Sequence, residues 1–123
     1  ECRYCVDHHY SGLLRLLADN ERGTAIRAAL DETNPAAAFA GKELAGLIYV
    51  EKLTSRPTSI TAQDMDDLRS AGLDDGEILE INQVTAYFAY ANRTVLGLGI
   101  NTEGDIIGLS PGDNSDPNNW SHA

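Results

Sequence analysis

Between Ile60 and Leu98 the chain carries two helix starts and one helix stop in close succession, and that punctuation restricts the fold more than any other stretch. Thr61 is placed to cap the amide of Asp64, and Ile60 to staple onto Met65. Gly72 supplies the left-handed stop, with Leu73 folding back on Leu68. The spacing predicts a helix from about Ala62 to Ala71. Asp74 and Glu77 then repeat the capping pattern, with Leu73 now stapling onto Ile78, so the next helix begins across a tight, rigid corner. Ile78, Ile81, Val84, Phe88, Ala91, Val95 and Leu98 carry it on as one helical stripe, a rod of roughly 30–35 Å at 1.5 Å per residue.

Upstream, Val6, Tyr10, Leu13, Leu14 and Leu17 recur at three and four and predict a first helix from Arg3 to about Asp19. Asn20, Gly23 and Thr24 read as an interruption, followed by a short second helix around Ile26, Ala29 and Leu30 that ends before Thr33, Asn34 and Pro35. From Gly41 or Lys42 to about Arg56, the residues Leu44, Leu47, Ile48, Val50 and Leu53 are apolar on more than one side. A central, largely buried helix stopped by Pro57 is expected there. No segment alternates as a strand does, and no repeat recurs. The expectation is an all-α, compact domain of about five helices over residues 1–100. From Asn101 onward Gly, Pro, Asp, Asn and Ser dominate, leaving Ile106, Ile107, Leu109 and Trp120 as apolar anchors. Residues 101–123 therefore read as an irregular tail, and Trp120 as a reason for it to dock on the domain or on a neighbouring subunit.

Composition sets the outer bounds. A length of 123 residues suits one core and not two. A net charge of −10 repels nucleic acid and anionic lipid, so neither is an expected partner. The most apolar stretch, from Ile78 to Ile100, is broken by Glu80, Asn82, Gln83, Asn92 and Arg93, so no membrane span is expected and a soluble, cytoplasmic protein is. Two cysteines, Cys2 and Cys5, are too few for a disulfide-stapled scaffold. Helices this apolar in so short a chain leave surface that a homo-oligomer would cover.

The string Glu1-Cys2-Arg3-Tyr4-Cys5-Val6-Asp7-His8-His9 holds the chemistry. In a helical first turn the spacing of three puts both sulfurs on one face, within reach of a reversible disulfide. His9 follows Cys5 by one turn on that face, where it can accept or return a thiol proton. First-turn amides and the helix dipole favour thiolate, whereas Glu1 and Asp7 oppose it, and spacing does not settle the sign. A zinc site needs four ligands, and beyond Cys2 and Cys5 the chain offers only His8, His9 and His122, two of them adjacent and the third in the tail; covalent haem needs a histidine where Val6 stands, so no metal or haem is expected. A thioredoxin-type motif would follow a strand, and none is read here. His8 points about 100° from His9, towards surface or interface. Tyr4 serves equally as a hydrogen-bonding or a packing residue, and Gly12 as a close helix contact. Asn92 and Arg93 interrupt the long stripe as polar groups that need partners.

Cys2-Arg3-Tyr4-Cys5 with His9, the helical Tyr90-Ala91-Asn92-Arg93 and the closing Asp116-Pro117-Asn118-Asn119-Trp120-Ser121-His122 together resemble the peroxidase-related branch of the alkylhydroperoxidase D-like superfamily, which also holds the carboxymuconolactone decarboxylases. The resemblance spans nearly the whole chain. It implies an all-helical fold and a thiol-dependent peroxidase acting on hydroperoxides. Cys5 would be the peroxidatic cysteine, Cys2 the resolving one and His9 the proton relay. An external dithiol, lipoyl or thioredoxin-like, would recycle the pair without metal or other cofactor. The family pattern also has a glutamate about three turns upstream of the cysteines. Glu1 abuts Cys2 and does not occupy that place, so a further N-terminal helical segment is expected. A different class of function uses the same residues: a redox sensor or interaction module switched by a Cys2–Cys5 disulfide.

Overall fold

The computed structural model describes residues 2–104 and 107–108. Five α-helices follow one another: α1 (Arg3–Leu17), α2 (Asn20–Asp31), α3 (Gly41–Ser55), α4 (Ala62–Ser70) and α5 (Asp75–Gly97). Single 3-10 turns stand at Pro35–Ala37 and Pro57–Ser59, each opening on its proline, and the described residues contain no strand. No described helix is long and apolar enough to cross a membrane.

The α4–α5 corner forms as its capping residues dictate. Asp74 Oδ1 accepts the Glu77 amide at 2.8 Å and Glu77 Oε2 accepts the Asp74 amide at 3.0 Å, a reciprocal box that satisfies two amides at the start of α5. Gly72 takes φ +100°, the left-handed geometry that stops α4 without side-chain strain. Leu73 and Ile78 then join Tyr49 of α3 and Leu68 of α4 as the buried cluster of this half of the molecule. Ala45, Leu53, Ile60, Met65, Ala71 and Ile81 pack around them. The Tyr49 hydroxyl accepts a 2.8 Å hydrogen bond from Asn82 Nδ2, tying α3 to α5. Gly46 faces Ile81 so closely that a β-carbon there would lie 3.3 Å from Ile81 Cδ1.

At the start of α4 Thr61 and Asp64 form the expected capping box, and the Asp64 carboxylate accepts the Thr61 amide at 2.7 Å and the Thr61 hydroxyl at 2.9 Å. Several other expectations change. Helix α2 begins at Asn20, earlier than expected, because the Asp19 side chain accepts the Arg22 amide and caps it. Gly23 lies inside α2, where Leu14 of α1 occupies the space: a β-carbon would sit 2.2 Å from Leu14 Cδ2. Helix α3 is not largely buried. Gly46 and Tyr49 are covered, whereas Ile48 is 54% exposed. The apolar stripe of α5 divides, with Ile78, Ile81 and Phe88 turned towards the domain and Val84 and Leu98 towards solvent.

Lys52 pairs with Asp64, and this contact together with the Thr61 amide pulls the Asp64 carboxyl from 3.8 down to about 2. A depressed carboxylate stabilises the fold above its unfolded pKa and ceases to do so as pH falls through the folded one. The stability difference between the native chain and Asp64→Asn is therefore expected to hold steady above about pH 5 and to vanish as pH approaches about 2. Urea unfolding followed by circular dichroism across that range measures it.

Candidate functional site

Cys2 occupies the N-cap position of α1, with φ −97° and ψ 97°, and its carbonyl accepts the Val6 amide at 3.1 Å. Cys5 stands three residues on, in the first helical turn. The two Sγ atoms are 2.7 Å apart, one thiol donating to the other, and no bond joins them. Cys2 is buried, at 3% exposure, while Cys5 is only half-buried, so the more accessible sulfur belongs to Cys5. The i, i+3 reading of the pair is met in geometry.

The electrostatic question left open by spacing is answered against the thiolate. The Cys5 thiol is pushed up from the ordinary 9.0 to about 11, first by burial and then by its hydrogen bond and charge interaction with Cys2. Asp7 does not contribute among these causes, and its charge is balanced by Arg3 at 3.5 Å and Arg27 at 3.7 Å. Arg27 also binds Asp31 at 2.7 Å and lies over the Tyr10 ring at 5.2 Å, so it links α1 to α2 beside the cysteine turn.

The two histidines exchange the positions spacing suggests. His9 is exposed and stands edge-on to Phe88 of α5, ring centroids 4.9 Å apart; among the described residues it makes no hydrogen bond to either sulfur. His8 is half-buried, lies 4.5 Å from the Tyr4 ring, and accepts the Gly108 amide on Nδ1 at 3.3 Å. Gly108, at φ +74°, comes so near α1 that a β-carbon would meet Ser11 Cβ at 2.5 Å. This contact brings residues 107–108 of the expected tail onto α1. Gly12 is not needed for close helix packing, since a β-carbon there meets no described atom within 4 Å. The Tyr4 ring is a neighbour of the His8 ring. The Tyr4–His8 spacing of four was present in the sequence; the partner from residue 108 could not be read from it.

Asn92 is half-buried, and its Oδ1 is enclosed with no hydrogen-bond partner among the described residues. Arg93 donates to the Ala89 carbonyl at 2.6 Å and is exposed. Neither meets the cysteine pair through a described hydrogen bond. Glu1, Trp120 and His122 lie outside the described residues. A cleft of about 480 Å³ opens between α3 and α5 over Phe39, Leu47, Val50, Leu73 and Ile81, and none of the candidate residues lines it.

Neither the protein-family models nor the curated proteins give a match to this chain.

Proposed function

We propose that the protein is a thiol-dependent peroxidase of the alkylhydroperoxidase D-like type that reduces hydroperoxides through a Cys2–Cys5 dithiol/disulfide cycle. The observation that carries this reading is the 2.7 Å contact of two unbridged thiols at the start of α1, with the more accessible sulfur on Cys5. In the first step the Cys5 thiolate attacks the distal peroxide oxygen, the O–O bond breaks, Cys5 becomes a sulfenic acid and the alcohol leaves with a proton. The Cys2 thiol then displaces hydroxide from the sulfenic sulfur, giving the disulfide and water. An external dithiol, a lipoyl or thioredoxin-like protein, reduces the disulfide by exchange and is itself oxidised. His9 carries the proton in this scheme, after its ring turns from Phe88 towards Cys5. The raised Cys5 pKa favours one second reading, a redox sensor oxidised once per stimulus and not turned over.

Catalytic amounts of the chain are expected to consume tert-butyl hydroperoxide while a dithiol recycles them, and Cys5→Ser to abolish that turnover. Rapid-quench mass spectrometry should find sulfenate on Cys5 before the disulfide forms. Sulfenate on Cys2 would reverse the two roles. Stoichiometric oxidation with no recycling would replace the enzyme with the sensor.

A further inference from the structure

Helices α3 and α5 lie side by side and run in the same direction: Lys42 meets Glu77, Gly46 faces Ile81 and the Tyr49 hydroxyl meets Asn82, so the contacts advance along both helices together. Ala45 and Tyr49 turn one side of α3 to the cluster that holds Leu68 of α4. On another side Gly46, Leu47 and Val50 line the cleft of about 480 Å³, a volume that suits a small molecule. Its apolar walls are only partly covered, since Phe39, Leu47, Val50 and Ile81 are each half-buried. An occupant would take that surface out of water.

The charged residues that line the cleft are Lys42, Glu43, Glu77 and Glu80. Lys42 Nζ donates to Glu77 Oε1 at 2.5 Å, and Glu77 Oε2 accepts the Asp74 amide at 3.0 Å, so this pair is satisfied within the fold. Glu43 on α3 acts on Lys42 through its charge and forms no ion pair or hydrogen bond among the described residues. Glu80 on α5 is likewise unpaired there and lies past the first turn, where the helix end no longer rewards a carboxylate. The two lips of the cleft thus carry one unpaired carboxylate each, above apolar walls, and the one ammonium among the lining residues is already engaged. Arg22 lies over the Phe39 ring at 5.7 Å but is not among the residues that line the cleft.

We infer that this cleft binds an organic cation, one ammonium group on an alkyl or aryl body. The body covers the half-buried walls and the ammonium sits between Glu43 and Glu80. An anion of the same shape would meet two uncompensated carboxylates, and a neutral molecule would gain the walls alone. Cys2, Cys5 and His9 do not line the cleft, so the proposal does not rest on the peroxidase reading.

A net charge of −10 draws cations to the whole surface, so the test must separate the cleft from that background. Octylammonium chloride and sodium octanoate, alike in apolar length and opposite in charge, are the probes, titrated at neutral pH and physiological salt into methyl-labelled chain followed by NMR. Octylammonium should shift the methyl resonances of Leu47, Val50 and Ile81 and saturate in roughly the millimolar range, as suits so small a ligand. Octanoate should bind at least about tenfold more weakly. Glu43→Gln and Glu80→Gln, both at exposed positions, should each weaken octylammonium about threefold, and together about tenfold, which brings it level with octanoate. Glu51→Gln removes the same charge from an exposed position of α3 outside the cleft and should change nothing. Val50→Phe should fill the cleft and exclude both probes, with helicity by circular dichroism retained. Octanoate binding as tightly as octylammonium, equal losses in Glu51→Gln and Glu80→Gln, or saturation that spares Leu47, Val50 and Ile81 would overturn the proposal. So would a Leu/Lys amphipathic peptide that saturates these resonances where octylammonium does not, since the cleft would then belong to a protein partner.

Discussion

Oxidation of Cys5 by a hydroperoxide is expected to speed up about tenfold per pH unit from neutrality to about pH 10 and to level off near pH 11, where the thiol finishes ionising. Only the thiolate attacks, and a thiol pushed from 9.0 to about 11 holds roughly a hundredfold less thiolate at pH 7 than an ordinary cysteine. Burial is the larger cause, and Cys2 the next. Cys2→Ala should therefore lower the midpoint of the profile without returning it to 9.0. Stopped-flow rates with a single oxidation event, in native chain and Cys2→Ala, measure both. A plateau near neutral pH would mean that a base removes the thiol proton as the peroxide arrives, and His9→Gln should then restore the steep slope. A flat profile in both the native chain and His9→Gln would remove the present account of Cys5. The same shift acts on stability. The folded state holds the Cys5 proton more tightly than the unfolded one, so the stabilisation is complete below about pH 9 and is lost as pH rises through about 11.

The steepness of that profile bears on what the site does. A resting site with so little thiolate suits slow, stoichiometric oxidation, whereas turnover needs proton transfer coupled to attack. In the present arrangement the imidazole available for it, His9, is engaged with Phe88. To act as that base His9 would first have to leave Phe88, and side-chain rotation is fast compared with enzymatic turnover. The choice between peroxidase and sensor thus reduces to whether His9 reaches Cys5 during the reaction, which the His9→Gln profile reads directly.

What the residues told in advance follows from the range over which each interaction acts. The α4–α5 corner was legible because Asp74 and Glu77 bond each other's amides across three residues, with no distant partner required. Gly23 was misread as a break because its place inside α2 depends on Leu14 of another helix filling the space beside it. The stripe of α5 was legible as helix and not as a single face: its members sit at spacings that fit two sides of the rod, and only the packing of α3 shows which side is inward. The contact of Cys2 with Cys5 was open to sequence reasoning for the same local reason as the corner. The sign of the Cys5 shift was not, since burial outweighs the first-turn amides and burial is tertiary. His8 drew its partner from Gly108, a hundred residues away, and no spacing rule reaches that far.

Leu68→Ala is expected to cost about 2–5 kcal/mol, the range for removing a leucine side chain from a packed core. Leu68 is 2% exposed and lies at the meeting of three helices, against a cluster whose other buried members are Tyr49, Leu73 and Ile78. Tyr49, one of these, is held in place by the hydrogen bond that Asn82 donates to its hydroxyl. A domain of this size has about 5–15 kcal/mol in all, so the variant should unfold at a much lower urea concentration, with the slope of the transition preserved. Leu68→Met keeps the volume and should cost under about 1.5 kcal/mol. Leu16→Ala is the control: Leu16 is 87% exposed, and its truncation should stay within about 0.5 kcal/mol. Equal losses for Leu68→Ala and Leu16→Ala would mean that α3, α4 and α5 do not meet where this structure puts them.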